Sequence, residues 1–288
     1  MIKVFVYGTL RKGEANHPLL NDATCIAEQC WTNGVLYDTG YGYPAIKQSS
    51  SSRVYGELYL VPEKNVARLD QLEGYRPARN NNLYDRIEQT IHMDKGSCVA
   101  FVYVANQVSL LKRKIVSGDW KEHTLLSRER EETVLYFAYG SCMDQKRFVE
   151  DGFADYFQTM LGVGVLQNYS LGFTRKSLKD GMGRADIVEG GGTVEGKVYE
   201  IPIKALSDYL YAREGAPTAY RVTFITIELN GQKVHALTFV GTNKKPETAP
   251  PEWYEEEILR GANGFLTDPY ILKIQTHMNN LKKSKGGR

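Results

Sequence analysis

Histidine and cysteine are both scarce in this chain, five and four in 288 residues. The four cysteines, Cys25, Cys30, Cys98 and Cys142, have no CxxC spacing and no histidine at metal-ligand intervals. Neither a zinc site nor a dithiol redox pair is expected, and no metal or cofactor is called for. There is no P-loop, no G-x-G-x-x-G behind a strand and no H-E-x-x-H. No apolar stretch approaches the roughly 18 residues that span a bilayer. The short apolar run after Met1-Ile2-Lys3 leads into a turn rather than a secretory leader. A soluble, cytoplasmic protein with reduced thiols is therefore expected. An excess of charge of one sign is lacking too: 36 basic against 34 acidic residues leave +2. That argues against a nucleic-acid partner. The basic tail from Lys282 to Arg288 is read as a frayed, solvated end.

What the chain does have is tyrosine, 19 of them, in a composition that is 42% hydrophobic and 24% charged. Many aromatic residues on half-buried faces point to β-rich structure with real cores. It also repeats itself. Val4-Phe5-Val6-Tyr7-Gly8-Thr9-Leu10 returns as Tyr136-Phe137-Ala138-Tyr139-Gly140-Ser141-Cys142, a strand ending each time on Tyr-Gly-hydroxyl. The strand Gly56 to Pro62 returns as Gly196 to Pro202. After each Pro comes a helical segment, Glu63 to Leu72 with Val66, Leu69 and Leu72 on its buried face, then Lys204 to Arg213 with Leu206, Tyr209 and Leu210. Both helices end on Glu-Gly, at Glu73-Gly74 and Glu214-Gly215. Gly56 lies 17 residues before Glu73 and Gly196 lies 18 before Glu214. The hairpin Tyr84 to His92 with Val99 to Ala105 is answered from Tyr220 and by Val234 to Val240. Leu10 to Asn21 reads as loop and helical turn, Gly181 to Gly183 and Gly190 to Gly192 as loops. Helices from Trp253 and from Asp268 lack twins. Two versions of one domain are expected, 1–127 and 133–282, joined by the charged run Arg128 to Glu132 and packed on each other.

Two elements of the repeat can do chemistry. A Gly at a strand end turns the backbone without a Cβ clash, leaving the following amides and hydroxyl able to hold a carboxylate or polarise a carbonyl. A carboxylate at a helix C-terminus faces the negative end of the macrodipole, a cost that calls for a use. Together they supply polarisation and one general base that becomes a general acid. Either copy alone is also consistent with an ordinary strand end and a solvated Glu before a Gly cap. Recurrence at matching places favours function. None of the five histidines has a twin, so a Ser–His–Asp or Cys–His site used by both halves is not expected.

These strings, with Gly34-Val35-Leu36-Tyr37, Tyr43-Pro44-Ala45 and Leu69-Asp70-Gln71-Leu72-Glu73-Gly74-Tyr75, resemble gamma-glutamylcyclotransferase-like proteins. The first half is similar to the gamma-glutamylamine cyclotransferase branch. The second, with Gly196-Lys197-Val198-Tyr199 and Arg213-Glu214-Gly215, is similar to the gamma-glutamylcyclotransferase branch. The resemblance implies an α+β fold, each domain a small mixed β-barrel flanked by helices. It implies an enzyme, an acyltransferase-type cyclisation in which a γ-glutamyl amine or amino acid releases 5-oxoproline and its amine. Catalytic Glu73 and Glu214 are implied, with Tyr7, Gly8, Thr9 and Leu10, and Tyr139, Gly140, Ser141 and Cys142, holding the substrate. Tyr84 and Tyr220 are candidate pocket walls. One departure stands out: the second branch has Asn after Tyr-Gly-Ser where this chain has Cys142, so the second half is expected to take another substrate or to be impaired. Two other readings stay open. The same pocket serves a non-catalytic module that captures a small metabolite or carboxylate, or Cys142 serves a thiol-dependent hydrolase.

Overall fold

The repeated Tyr-Gly strands form the parallel seam of two closed barrels. The computed structural model describes residues 1–285, and the chain divides into two compact units, Met1–Thr124 and Leu125–Arg288.

In the first unit the elements are β1 (Ile2–Val6), β2 (Thr24–Asn33), β3 (Val35–Asp38), β4 (Pro44–Lys47), β5 (Arg53–Val61), α1 (Glu63–Leu72), β6 (Tyr84–Met93), β7 (Gly96–Ala105), β8 (Arg113–Ile115) and α2 (Trp120–Leu126). The barrel runs β1-β5-β2-β6-β7 and closes by parallel pairing of Val4 with Phe101. Closure leaves it no open edge. β4, β3 and β8 make a separate three-stranded sheet. Gly56 is needed where β5 crosses β1: a Cβ there would lie 2.2 Å from the Val6 carbonyl and 2.6 Å from the Phe5 ring.

The second unit holds β9 (Thr133–Ala138), α3 (Gln145–Glu150), β10 (Met160–Lys176), β11 (Gly183–Pro202), α4 (Tyr211–Glu214), β12 (Tyr220–Leu229), β13 (Gln232–Gly241), α5 (Glu252–Ala262) and α6 (Asp268–Lys285). Its barrel, β10-β11-β9-β13-β12, has the same pairings, with Leu237 parallel to Tyr136 at the seam. Gly196 meets the Ala138 carbonyl and the Phe137 ring as Gly56 meets theirs. The fold is thus the expected one, two five-stranded mixed barrels with flanking helices.

Several elements differ from the sequence reading. β2 was not expected. Its register shifts between Cys25 and Ala27 and again before Cys30, which breaks the alternation that betrays a strand. Gly190 to Gly192 is not a loop but a bulge inside β11, all three glycines at positive φ opposite Gln167 to Tyr169. The second helix opens as a π-turn over Leu206–Leu210 before α4. A π-turn takes one residue more than an α-turn, and it absorbs the extra residue counted between Gly196 and Glu214. Leu72 is 39% exposed rather than buried, while Val66 and Leu69 pack inward. Helix α6 continues through Lys285 where a frayed tail was expected; Gly286, Gly287 and Arg288 lie outside the described residues. Among the described residues no helix is long and apolar enough to cross a membrane.

Candidate active site

In the first unit β1 delivers the turn, and each of its residues is fixed by a specific partner. Tyr7 Oη donates to the Tyr103 carbonyl at 2.8 Å, which ties the strand end to β7. Gly8 lets the Pro44 ring pack on the backbone; a Cβ would sit 2.6 Å from Pro44 Cγ. Thr9 is held by Asn16, whose N–H donates to the Thr9 carbonyl and whose side-chain amide donates to Thr9 Oγ1, both at 2.9 Å. Arg11 then anchors the chain, buried between Glu57 at 3.2 Å and Asp119 at 2.8 Å.

The carboxylate comes from α1. Its C-cap is Glu73, with Gly74 at φ 62 and the Tyr75 N–H returning to the Asp70 carbonyl at 2.8 Å. Asp70 fixes the helix laterally, accepting from Tyr103 Oη at 2.7 Å and from Arg86 at 2.8 Å. Tyr103 therefore links both halves of the site, its carbonyl holding Tyr7 and its hydroxyl holding α1. Tyr84 Oη donates to the Pro44 carbonyl at 2.9 Å and closes one wall.

These groups surround a cavity of about 160 Å³ lined by Tyr7 to Leu10, Glu73 and Tyr84 among others. Asn16, Tyr43, Leu72 and Leu83 also line it, and among the described residues no Lys or Arg does. Burial pushes the half-buried Glu73 carboxyl up to about 8, with no offsetting donor or cation. It is a carboxyl that holds a proton near neutrality and can exchange it.

The second unit brings its own predicted residues together: Tyr139, Gly140, Ser141, Cys142, Glu214 and Tyr220 line one cavity. The scaffold contacts recur. Tyr139 Oη donates to the Phe239 carbonyl at 2.5 Å and Tyr220 Oη to the Ala185 carbonyl at 2.7 Å. Gly140 faces Ala185, where a Cβ would meet Ala185 Cβ at 3.0 Å. The interior differs. This cavity is about 30 Å³. Cys142 Sγ donates to Glu214 Oε1 at 2.8 Å, and Arg213 Nε donates to Cys142 Sγ at 3.0 Å. Burial pushes the thiol up to about 12, so it stays protonated and is no thiolate nucleophile. Burial also raises Glu214, partly offset by the Cys142 hydrogen bond and by Arg213. Among the described residues no group of three or more His, Cys, Asp or Glu side chains is placed to hold a metal ion.

Residues 4–122 match the family model described as gamma-glutamyl cyclotransferase, AIG2-like, and residues 193–273 match the AIG2-like family model. The chain is 42% identical over 287 residues to YkqA of Bacillus subtilis strain 168, provisionally described as a gamma-glutamylcyclotransferase, covering 97% of this chain and 98% of YkqA. This chain belongs to the gamma-glutamyl cyclotransferase family. The crystal structure of YkqA agrees, with a TM-score of 0.87 at 40% identity over 97% of this chain and 98% of that one. Part of the chain is similar to the gamma-L-glutamyl-butirosin B gamma-glutamyl cyclotransferase of Niallia circulans, 39% identical over 126 residues, 43% of this chain and 79% of that protein.

The sequence alone does not reveal the supports of the turn or the side chains around the second cavity. Asn16 and Tyr103 carried no repeat signal, because their second-unit counterparts have other chemistry. Pro44 belongs to a family-like string, yet only the fold reveals its contact with Gly8. Arg213 precedes Glu214, and only the fold shows it turned onto Cys142 and Tyr209. Tyr254 comes from α5, which has no twin.

Proposed function

We propose that the chain cyclises a γ-glutamyl amine to 5-oxoproline and the free amine, with Glu73 as the group that moves the proton. The observation that carries this reading is the half-buried Glu73, its carboxyl pushed up to about 8, in the same cavity as the Tyr7-Gly8-Thr9-Leu10 turn. The turn's backbone and Thr9 hydroxyl hold and polarise the γ-glutamyl group. The substrate's own α-amino nitrogen attacks its γ-carbonyl carbon, and Glu73 takes the proton that this nitrogen loses. The ring C–N bond forms; the γ-amide C–N bond breaks as Glu73 returns that proton to the departing amine. No protein nucleophile and no external reactant are needed, and the tethered amine gains the large advantage of an intramolecular attack.

The leaving group is an amine rather than an amino acid. A cavity with neither Lys nor Arg gives a second carboxylate no counter-charge. The Niallia circulans relative, named for a γ-glutamyl derivative of butirosin, supports the same preference. The domain limits 1–127 and 133–282, and a cytoplasmic location, belong to the same proposal.

The test supplies the purified chain with γ-glutamyl amines and γ-glutamyl amino acids and measures 5-oxoproline. Formation from the amines, with kcat/KM at least about tenfold above the amino acids, is expected. Ligand-induced stabilisation without any 5-oxoproline would replace the enzyme by a binding module.

A further inference from the structure

The two cavities share a scaffold and differ in their contents. Glu73 and Glu214 each end their helix, each Tyr-Gly turn is tied to its barrel by the same hydroxyl-to-carbonyl bond, and a second tyrosine hydroxyl bonds the wall carbonyl of Pro44 or Ala185. Two wall positions are smaller in the second unit, where Cys142 replaces Leu10 and Ala185 replaces Pro44. Those exchanges alone would enlarge its cavity. It is instead about 30 Å³ against about 160 Å³, room for one or two waters on the scale of a single water site.

The space is taken by two side chains, one in place of a first-unit leucine and one from a helix without a first-unit twin. Arg213 stands where the first unit has Leu72, one residue before the Glu. Its side chain is only 8% exposed and donates to Cys142 Sγ at 3.0 Å, to Tyr209 Oη at 2.9 Å and to Ser141 Oγ at 3.5 Å. Tyr254 reaches in from α5; its hydroxyl accepts from the Ala185 N–H at 3.2 Å, and a Cβ on Gly140 would lie 3.6 Å from it. Glu214 is also occupied, accepting from the Cys142 thiol at 2.8 Å with the Arg213 guanidinium 3.9 Å away. One oxygen of this carboxylate is thus already engaged by the thiol, and about 30 Å³ leaves a γ-glutamyl group nowhere to lie.

We propose that turnover is confined to the first unit, and that Arg213, Cys142 and Tyr254 have converted the second unit's site into a filled, self-bonded core. This rests on the cyclotransferase reading above and says which of two equivalent sites performs it. The first measurement is 5-oxoproline formation by full-length Glu73→Gln, with its melting curve confirming that it is folded. A loss of at least about 100-fold is expected for removal of a general acid–base. Retention of roughly half the wild-type rate would overturn the confinement. The second is calorimetric titration of the wild-type chain with 5-oxoproline: one site per chain is expected, and two would overturn it. The third is the pair Arg213→Leu with Tyr254→Ala in the wild-type background, where a second 5-oxoproline site is expected to appear. Its absence in folded protein would show that these side chains are not what fills the space. Failure of the parent reading looks different, since a wild type that makes no 5-oxoproline from any γ-glutamyl compound removes both proposals together.

Discussion

In the proposed reaction Glu73 is a matched partner for an amine. Burial disfavours its anion and pushes its carboxyl up to about 8, and an α-amino group ordinarily titrates at about 7.7–8.0. Proton transfer between the two is then nearly balanced, which is where general acid–base catalysis works best. At the moment of attack both groups must be unprotonated, the amine to attack and Glu73 to accept, so kcat/KM should rise about a hundredfold per unit well below pH 8 and level off above it. A rise of only about tenfold per unit over that range would mean an ordinary, solvated carboxylate, with the substrate amine alone titrating. The same shift has a stability consequence. The folded value lies above the unfolded one, so the folded chain binds the extra proton and loses stability as pH rises from about 4.5 to 8. Glu73→Gln removes that loss. At pH 9 the variant should unfold later than wild type, by on the order of 2 kcal/mol after allowance for partial exposure, with the gap closing by pH 5. Denaturant melts at the two pH values check this.

At the scale of elements, the site depends on how closely the turn after β1 packs on β4. The Pro44 ring leaves no room over Gly8, where a Cβ would stand 2.6 Å from one ring carbon and 2.7 Å from another. A proline ring cannot swing away as a flexible side chain can. Gly8→Ala should therefore cost about 1–3 kcal/mol, and it should lower turnover by displacing the turn. Gly140→Ala, against Ala185 Cβ at 3.0 Å, should cost less. Denaturant midpoints of the two variants separate the cases. This contact also shows where sequence reading stops. α1 and the β6–β7 hairpin were legible because their periods are unbroken and their ends carry Pro, Gly or a tight turn. β2 was not, since two register shifts disrupt its alternation. The glycine triplet in β11 looked like a loop because glycine marks bulges and loops alike. The doubled turn and doubled Glu led to residues that line one cavity in each unit. The filling of the second could not be found that way, because it needs Arg213 turned inward and Tyr254 brought from about 110 residues further along the chain than Gly140.

At the scale of the whole chain, the two units keep one set of strand pairings while exchanging the charges that brace the turn. In the first, buried Arg11 lies between Glu57 and Asp119, and Glu57 also accepts from the Lys12 N–H at 2.8 Å and from Tyr59 Oη at 2.9 Å. In the second, Lys197 stands in place of Glu57 and donates to the Met143 carbonyl at 2.9 Å, while Arg260 of α5 pairs with Asp144. Each brace is complete with residues of its own unit. So is each core: the clusters around Phe5, Leu58 and Leu69 draw on residues before 125, and the cluster around Phe137, Tyr199 and Ile258 on residues from 125 onward. A barrel that closes on itself, with its own brace and core, has what independent folding requires. Residues 1–127 expressed alone should therefore melt cooperatively, bind 5-oxoproline and turn over γ-glutamyl amines within about threefold of the full chain. Residues 125–288 alone should be folded and should show no turnover. An unfolded 1–127 fragment would make the first barrel dependent on the rest of the chain. A folded fragment without activity would place part of the catalytic apparatus beyond residue 127, and so remove the assignment of the reaction to the turn and Glu73.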